Sequence, residues 1–423
     1  MKEVFALLRA ESRARWFFAA LTQSALGTGA AYPALLLIAY DRFHSPWAIS
    51  FVLLADLAPA MLLGPLFGTF ADRWSRRWCA VAADLIRAGA FVGIALAQDF
   101  ALTIAFAALA GAGTALFTPA TLAGLPSLVS KERVPAATSL YGAIADLGFT
   151  AGPGLAAVLL AVAGAEEILL INGLSFALSA VVLARLPFGF RPTISPRADG
   201  EKPPSLLRET RDGLSVVARI RGIRIVIAAS AGALFFGGLF NVGELLFVTE
   251  DLDASDAMYS LLVALFGLGF VFGSLRGSRG GAPALLRRRF VHGAFVMGLG
   301  CLLAGLSPTV IVALLAFMLA GFGNGLLLVH ERVIVQQTLP DELLGRAFGV
   351  KDALASWAFG LAFFAAGGLL TVVGPRELII ATGVGGLLMA AACAVALRRE
   401  ATPDTDSERL RDLRGRGRAL PDV

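Results

Sequence analysis

Apolar residues recur along the chain in long runs, each broken by a short polar stretch. Twelve runs can be drawn, at 16–40, 47–71, 78–97, 101–123, 138–163, 167–186, 223–248, 257–277, 290–307, 309–333, 347–372 and 376–397. About 20 apolar residues are what an α-helix needs to cross a bilayer. Inside hydrocarbon, only a helix or a closed barrel satisfies its own backbone. The pattern therefore predicts an all-α membrane protein with twelve transmembrane helices. Several runs are rich in Gly and Ala, small residues that let helices approach closely in lipid. The longest break, 187–222, carries Pro187, Pro192, Pro196, Pro203 and Pro204 and divides six runs from six. The expected organisation is an N-terminal segment 1–15, a six-helix bundle 16–186, a linker 187–222, a second six-helix bundle 223–397 and a polar tail 398–423, disordered by composition. In the N-terminal segment, Phe5, Leu7 and Leu8 with Arg9 and Arg13 have the pattern of a short helix lying on a membrane surface.

Composition narrows the solvent to lipid. Of 423 residues, 57% are hydrophobic and 16% charged, with mean hydropathy +0.76. Soluble domains average about 25% charged residues. The formal net charge of +5 resolves once it is placed on the breaks. Of the 36 Lys and Arg, 33 fall in the two terminal segments or in the alternate breaks that share their side. Arg87 lies inside a run, and only Arg42 and Arg376 fall on the opposite side. That side carries Asp99, Glu166, Glu167, Glu250, Asp251, Asp253 and Asp256. The positive-inside rule then puts both termini in the cytoplasm, and a bacterial inner membrane is the expected location. Basic loops explained this way call for no nucleic-acid partner. Cys79, Cys301 and Cys393 are far apart and read as small buried residues. His330, Glu331 and Arg332 form an interfacial cluster, and one His without a partner at ligand spacing is no metal site. There is no Gly-x-x-x-x-Gly-Lys loop to cradle ATP and no catalytic signature. Neither an enzyme nor a cofactor is expected.

A weak internal repeat adds architecture. Leu128–Gly164 aligns without gaps on Thr338–Gly374, an offset of 210 residues. Ten of the 37 positions match, among them Glu132/Glu342, Phe149/Phe359, Ala156/Ala366 and Gly164/Gly374. The fifth run of one half thus matches the fifth of the other, as in parallel repeats. Transporters are often built so, with the substrate site between the halves.

The second break reads Gly64-Pro-Leu-Phe-Gly68-Thr-Phe-Ala-Asp72-Arg73-Trp-Ser-Arg76-Arg77. Gly64 and Gly68 stand one helical turn apart on one face, and Asp72 follows at the membrane edge, placed to accept from a neighbouring helix N-terminus. This segment resembles the loop signature of the major facilitator superfamily, where the neighbour is the eleventh span; here that span is expected to begin around Arg346. Gly148-x-x-x-Gly152-Pro153-x-x-Ala156-Ala157 resembles the family's antiporter motif, with alanines where two glycines are usual. Pro153 removes a backbone hydrogen bond and kinks the helix. Phe117-Thr-Pro119-Ala120, Leu125-Pro126-Ser-Leu-Val and Gln337-Thr-Leu-Pro340-Asp-Glu-Leu-Leu-Gly345-Arg346-Ala-Phe resemble the branch that includes macrolide and enterobactin exporters. The resemblance covers roughly 15–397. Two departures stand out. Proton-coupled exporters of the family usually carry an arginine in the fourth span, whereas 101–123 has no charge. The second-half copy of the loop signature keeps Gly269 and Gly273 but has Gly277 where Asp72 would be.

Charges inside the runs are the candidate chemistry, because burying them in a membrane is costly. Asp56 lies about 14 Å from one end of its run and Asp146 about 12 Å from the other end of its own. Desolvation disfavours a charged carboxyl and a nearby cation restores it, so Asp56 and Asp146 are candidates to exchange a proton for a cationic substrate, or else structural carboxyls. Asp84 and Arg87 share a helix face and predict a local ion pair; Arg87 could instead pair with Asp56 or Asp146. Glu244 and Asn241 are placed toward the outer end of the seventh span, lining a vestibule or reaching headgroups. Gln23 with Thr22 and Ser24, Asn172 and Asn324 could face a central cavity. A conformational latch is expected from Gly64, Gly68, Asp72, Arg73, Arg76, Arg77, Arg346, Lys351 and Asp352, with Glu331 beside them. With the resemblance, these features predict proton-coupled efflux of an amphipathic drug-like compound or secondary metabolite by alternating access. The alternatives are a proton-coupled uptake symporter and a non-transporting or lipid-handling protein on the same fold. The expected partners are a small-molecule substrate, protons and lipid, with the chain a monomer.

Overall fold

A computed structural model of the chain describes residues 2–186, 214–215, 217–218, 220–277 and 281–399. Most of the expected linker, 187–222, and nearly all of the tail, 398–423, lie outside the described residues. After a short helix α1 (Lys2–Ala10) come twelve long helices: α2 (Ser12–Phe43), α3 (Pro46–Arg73), α4 (Arg76–Leu96), α5 (Phe100–Gly124), α6 (Val134–Leu160), α7 (Ala165–Arg185), α8 (Arg221–Leu246), α9 (Asp256–Gly277), α10 (Pro283–Gly305), α11 (Val310–Thr338), α12 (Asp341–Leu369) and α13 (Pro375–Arg398). A π-helical turn, Phe247–Asp251, extends α8. The helix expected around Arg346 begins earlier, at Asp341 after Pro340, because a proline is well tolerated just before a helix and not within it.

Among the described residues, ten helices are long and apolar enough to cross a membrane. The other two long helices fall short for local reasons. α10 opens with Arg287, Arg288 and Arg289. α2 carries Thr22, Gln23, Ser24 and Thr28 on its inward faces. The breaks close with ordinary helix chemistry. Ser75 and Asp99 accept from Trp78 N (3.3 Å) and Leu102 N (3.0 Å) at the starts of α4 and α5, each cap contributing about 1 kcal/mol. His44, left-handed at φ 46°, ends α2.

The helices pair as α2 with α6 and α7, α4 with α5 and α7, and α3 with α5 in the first half. In the second half α8 pairs with α12 and α13, α10 with α11 and α13, and α9 with α11. The halves meet along α3–α12 and α6–α9. Let the terminal face be the one where α2 begins and α7 ends, and the far face its opposite. Near the far face one apolar core draws on both halves, joining Leu36, Ile49 and Leu53 to Phe240, Tyr259, Phe317 and Phe363. Near the terminal face the core divides. One part holds Phe17, Phe117 and Ile144 of the first half, the other Ile223, Phe290 and Val350 of the second. The α3–α12 seam shows where the contact ends. Gly367 packs on Trp47 and Ser50, and Gly360 on Leu54 and Met61, but around Gly64, Gly345 and Gly349 there is open space. The two halves are sealed at the far face and parted at the terminal face.

The N-terminal helix packs against the first half's bundle. Leu7 is fully buried in the first half's terminal-face core, with Leu8 packed beside it. A protein groove offers α1 the same apolar burial that lipid would.

Candidate functional site

The site begins with a helix crossing. On α6, Gly148 and Gly152 face Ala25 and Gly29 of α2 so closely that a Cβ at any of the three glycines would meet backbone atoms of the partner helix. Glycine there is a requirement of the approach. Pro153 sits inside α6 directly after this contact. The crossing makes one wall of a cavity of about 320 Å³. Its lining includes Thr28 and Tyr32 of α2, Arg87 of α4, Phe117 and Thr118 of α5, and Tyr141 and Phe149 of α6, with Val263 of α9 from the other half. The wall is mostly apolar and aromatic, and Arg87 is its one charged residue.

Arg87 and Asp84 form the expected local ion pair, both buried. The guanidinium is also held between the rings of Phe117 and Phe176, 4.1 Å from each centroid. That double stacking on α5 and α7 suits a planar guanidinium. Gly113 of α5 makes room for it: a Cβ there would lie 2.6 Å from Arg87 Cγ. So although α5 has no charge, a cation from α4 lies across its small-residue face. Asp56 of α3 is solvent-accessible, and its carboxylate is in electrostatic reach of Arg87 and of Tyr32. Both of those residues line the cavity, whereas Asp56 itself is not among the lining residues. Tyr141 hydroxyl lies 3.0 Å from Thr121 hydroxyl, tying α6 to α5 beside the cavity.

The other candidates lie elsewhere. Asp146 is exposed on α6 and in electrostatic reach of Arg332 on α11, across the halves on the terminal side. Gln23 does not line the cavity; its amide donates to Ser175 O at 2.7 Å and ties α2 to α7. Asn172 is buried in the same contact, accepting from Ser175 hydroxyl at 3.2 Å. Glu244 reaches neither vestibule nor headgroups. It is buried inside the far-side contact, with Tyr259 hydroxyl donating to its Oε1 at 3.3 Å. Asn241 is half-buried three residues earlier on the same helix face.

Of the loop signature, the side chains of Gly68, Asp72 and Arg73 lie outside those described. Gly64 faces open space. Arg76 donates to Ala123 O (2.8 Å) and Arg77 to Leu186 O (3.4 Å), holding helix ends within the first half. On α12, Arg346 is exposed, and Lys351 Nζ lies 3.3 Å from Asp352 Oδ1 and in electrostatic reach of buried Glu331. Among the described latch residues, Arg76 and Arg77 are engaged within the first half and Lys351 and Asp352 within α12. His330 is buried with Nδ1 2.6 Å from Leu326 O, and no cluster of three metal-ligating side chains occurs among the described residues.

Sequence reasoning passed over Tyr32, Tyr141, Tyr259 and the stacking rings Phe117 and Phe176. An aromatic in an apolar run carries no mark of the face it takes. Tyr32 had one available signal, since it precedes Pro33 within a helix.

Comparisons with known proteins agree with this architecture. The family model described as Major Facilitator Superfamily matches residues 17–279 and again 225–420. An uncharacterized MFS-type transporter of Bacillus subtilis, YfiS, is 24% identical over 397 residues, covering 88% of this chain and 94% of that protein. Macrolide efflux protein A of Streptococcus pyogenes is 20% identical over 371 residues, 85% of this chain and 90% of its own. Multidrug efflux pump Tap of Mycobacterium tuberculosis is 25% identical over 382 residues, 86% and 88% respectively. Among solved structures, a nucleoside transporter superposes with TM-score 0.72 at 12% identity, covering 91% of this chain and 99% of that one. A bacterial homolog of the human lysosomal transporter Spinster, inward-facing and unoccupied, gives TM-score 0.66 at 15% identity, covering 91% and 97%. These structural likenesses speak to the fold.

Proposed function

The chain belongs to the Major Facilitator Superfamily, and from that premise we propose that this multi-pass membrane transporter exports an amphipathic drug-like compound or secondary metabolite in exchange for protons. One observation carries the reading: a mostly apolar cavity with aromatic walls and a single cation, in a molecule sealed at the far face and parted at the terminal face. Such a cavity suits a cargo with an apolar ring system and one polar group. Phe117, Tyr141 and Phe149 offer surface to the apolar part, while Arg87 and Asp56 offer opposite charges to the polar part. The efflux relatives support the direction.

The termini belong in the cytoplasm of a bacterial inner membrane, because along the sequence 33 of the 36 basic residues fall in the terminal segments and the alternate breaks on their side and basic loops stay inside. The cavity then opens inward, ready to load cargo. Alternating access follows if Gly64, Asp72 and Arg73 of α3 close on the start of α12 while the far-side core separates. The chain would act as a monomer, each molecule holding its own cavity.

The test is transport by purified protein in proteoliposomes, with a labelled macrolide as probe. An imposed pH gradient should drive the macrolide against its own gradient, opposite to the protons, and the movement should stop when an ionophore collapses the gradient. Movement in the same direction as the protons would make the protein a symporter. Movement indifferent to the gradient would remove the coupling.

A further inference from the structure

Glu244, the one acid of α8, is buried, 5% exposed. No cation pairs with it among the described residues. What faces it can be named element by element. α9 presents Tyr259, fully buried and hydrogen-bonded to it. α2, from the other half, presents Tyr32, and α10 presents Cys301. Around this stretch of α8 pack Phe359 and Ala362 of α12, Leu378 and Ile379 of α13, and Phe317 of α11. From α3, Asp56 reaches Tyr32. The two cations of the neighbourhood are engaged elsewhere. Arg376 is held by Asp251 and by the carbonyls of Gly305 and Ser307, and Arg87 by Asp84.

An ionised carboxylate so buried, with no counter-ion among the described residues, is strongly disfavoured in the sealed state. Neutral, the carboxyl keeps one acceptor bond from Tyr259 and packs into the core shared by both halves. The sealed far face is thus compatible with one protonation state of Glu244 and in conflict with the other. Tyr32 is the link to transport, because it is in electrostatic reach of both Glu244 and Asp56 while lining the cavity.

We propose that Glu244 is the proton-binding site that couples protons to the closing of the far face, with Tyr259 and Tyr32 as its positioning residues. The proposal rests on the proton-exchange reading above and deepens it. With the far face open, the wetted carboxylate takes one proton from the outer water. The neutral acid then permits the halves to seal there. With the terminal face parted, the proton leaves toward Asp56 and the cavity water. The ionised residue left behind drives the far face open again. One proton crosses per cycle and no electrons move.

The test follows the far face itself, in the full-length chain in nanodiscs. Spin labels go on Val162→Cys and Val372→Cys, which are 84% and 79% exposed at repeat-equivalent turns of the two halves; the three native cysteines are buried. The background is Asp256→Asn, which removes the surface carboxylate facing Asp41 across the halves. Between about pH 5 and about pH 8, the ratio of long to short label distances should rise at least tenfold, as expected for release of one proton. Glu244→Gln should abolish the rise and hold the short distance at every pH. Tyr259→Phe should keep the rise but shift its midpoint, and this variant decides the matter if Glu244→Gln does not fold. An unchanged pH response in Glu244→Gln, an unmoved midpoint in Tyr259→Phe, or no response in the parent each overturns the proposal. Macrolide flux is measured on the same parent. Absent flux with an intact, Glu244-dependent distance change would count against the cargo assignment and leave the proton site standing.

Discussion

Glu166 and Arg376 hold the same place in the two halves with opposite charge. They stand 210 residues apart, each second in its helix, at the starts of α7 and α13. Glu166 pairs with Arg42 at the end of α2 (2.6 Å), and Arg376 pairs with Asp251 at the end of the π turn after α8. In each half the arginine also caps the third long helix. Arg42 donates to the carbonyls of Ile94, Ala95 and Ala97 at the end of α4, and Arg376 to those of Gly305 and Ser307 at the end of α10. The two basic residues of the far face thus serve one structural purpose, with acid and base exchanged between the ends of the pair.

Arg42 should accordingly matter to stability more than a surface charge does. Its side chain is 10% exposed, and its removal strands several helix-end carbonyls. Arg42→Ala is expected to cost roughly 2–4 kcal/mol, since hydrogen bonds to charged groups contribute about 1.5–3 kcal/mol each. Arg42→Asp with Glu166→Arg copies the arrangement of the second half and should recover part of the loss. Thermal unfolding of the purified variants decides; a double variant no better than the single one would show that the two halves are not interchangeable here.

The crossing of α2 and α6 makes a sharper prediction, because neighbouring glycines should behave oppositely. A Cβ at Gly152 would strike the backbone of Gly29 and Ala30, whereas at Gly142 on the same helix it would meet nothing. Gly152→Ala should destabilise by about 1–3 kcal/mol through overpacking. Gly142→Ala should stabilise by up to about 1 kcal/mol through helix propensity. Equal effects in a thermal shift measurement would refute the close approach.

These two glycines also show how far a one-dimensional reading reaches. The spacing of Gly148, Gly152 and Pro153 marks a packing face, and each apolar run overlies one long helix, although α10 and α12 begin well before their runs and α11 ends after its own. The Asp84–Arg87 pair followed from separation along one helix. Which face a residue takes did not follow. Gln23 and Asn172 sit in a helix contact, and Glu244 lies inside the seal between the halves. Rotation of a helix about its axis is set by its neighbours, and an all-round apolar helix carries no amphipathic stripe to betray it. The caps made by Arg42 and Arg376 were hidden for another reason: their acceptors are backbone carbonyls, which every residue possesses.

The buried pair on α4 separates stability from function. Removing one partner leaves an uncompensated charge, so Asp84→Leu and Arg87→Leu should each cost about 3–5 kcal/mol. The double variant Asp84→Leu with Arg87→Leu removes both charges and should unfold within about 1 kcal/mol of the parent. It should nevertheless fail to move the macrolide probe, because the cavity has lost its cation. A stable double variant with parental flux would place the cargo elsewhere.

A final prediction concerns the rim of the far face. Asp41 at the end of α2 and Asp256 at the start of α9 face each other across the halves closely enough to interact. Nearby, Tyr40 hydroxyl donates to Glu250 and helps tie the halves together. Burial, and for Asp41 the neighbouring Asp256, push both carboxyls above the usual carboxylate range, and when both are charged their repulsion works against the seal. Asp256→Asn should therefore favour the sealed state, by roughly 0.2–1 kcal/mol as for exposed charge pairs. Tyr40→Phe should act in the opposite direction by removing a hydrogen bond across the seam. The sign of the pH dependence is fixed by the same geometry. Protonation of either aspartate relieves the repulsion, so the advantage of Asp256→Asn should be present at neutral pH and vanish as pH falls through that raised range. High salt should shrink it as well, by screening. The Val162 and Val372 label pair reads the seal directly, and an Asp256→Asn effect that persisted in acid would assign it to packing and not to charge.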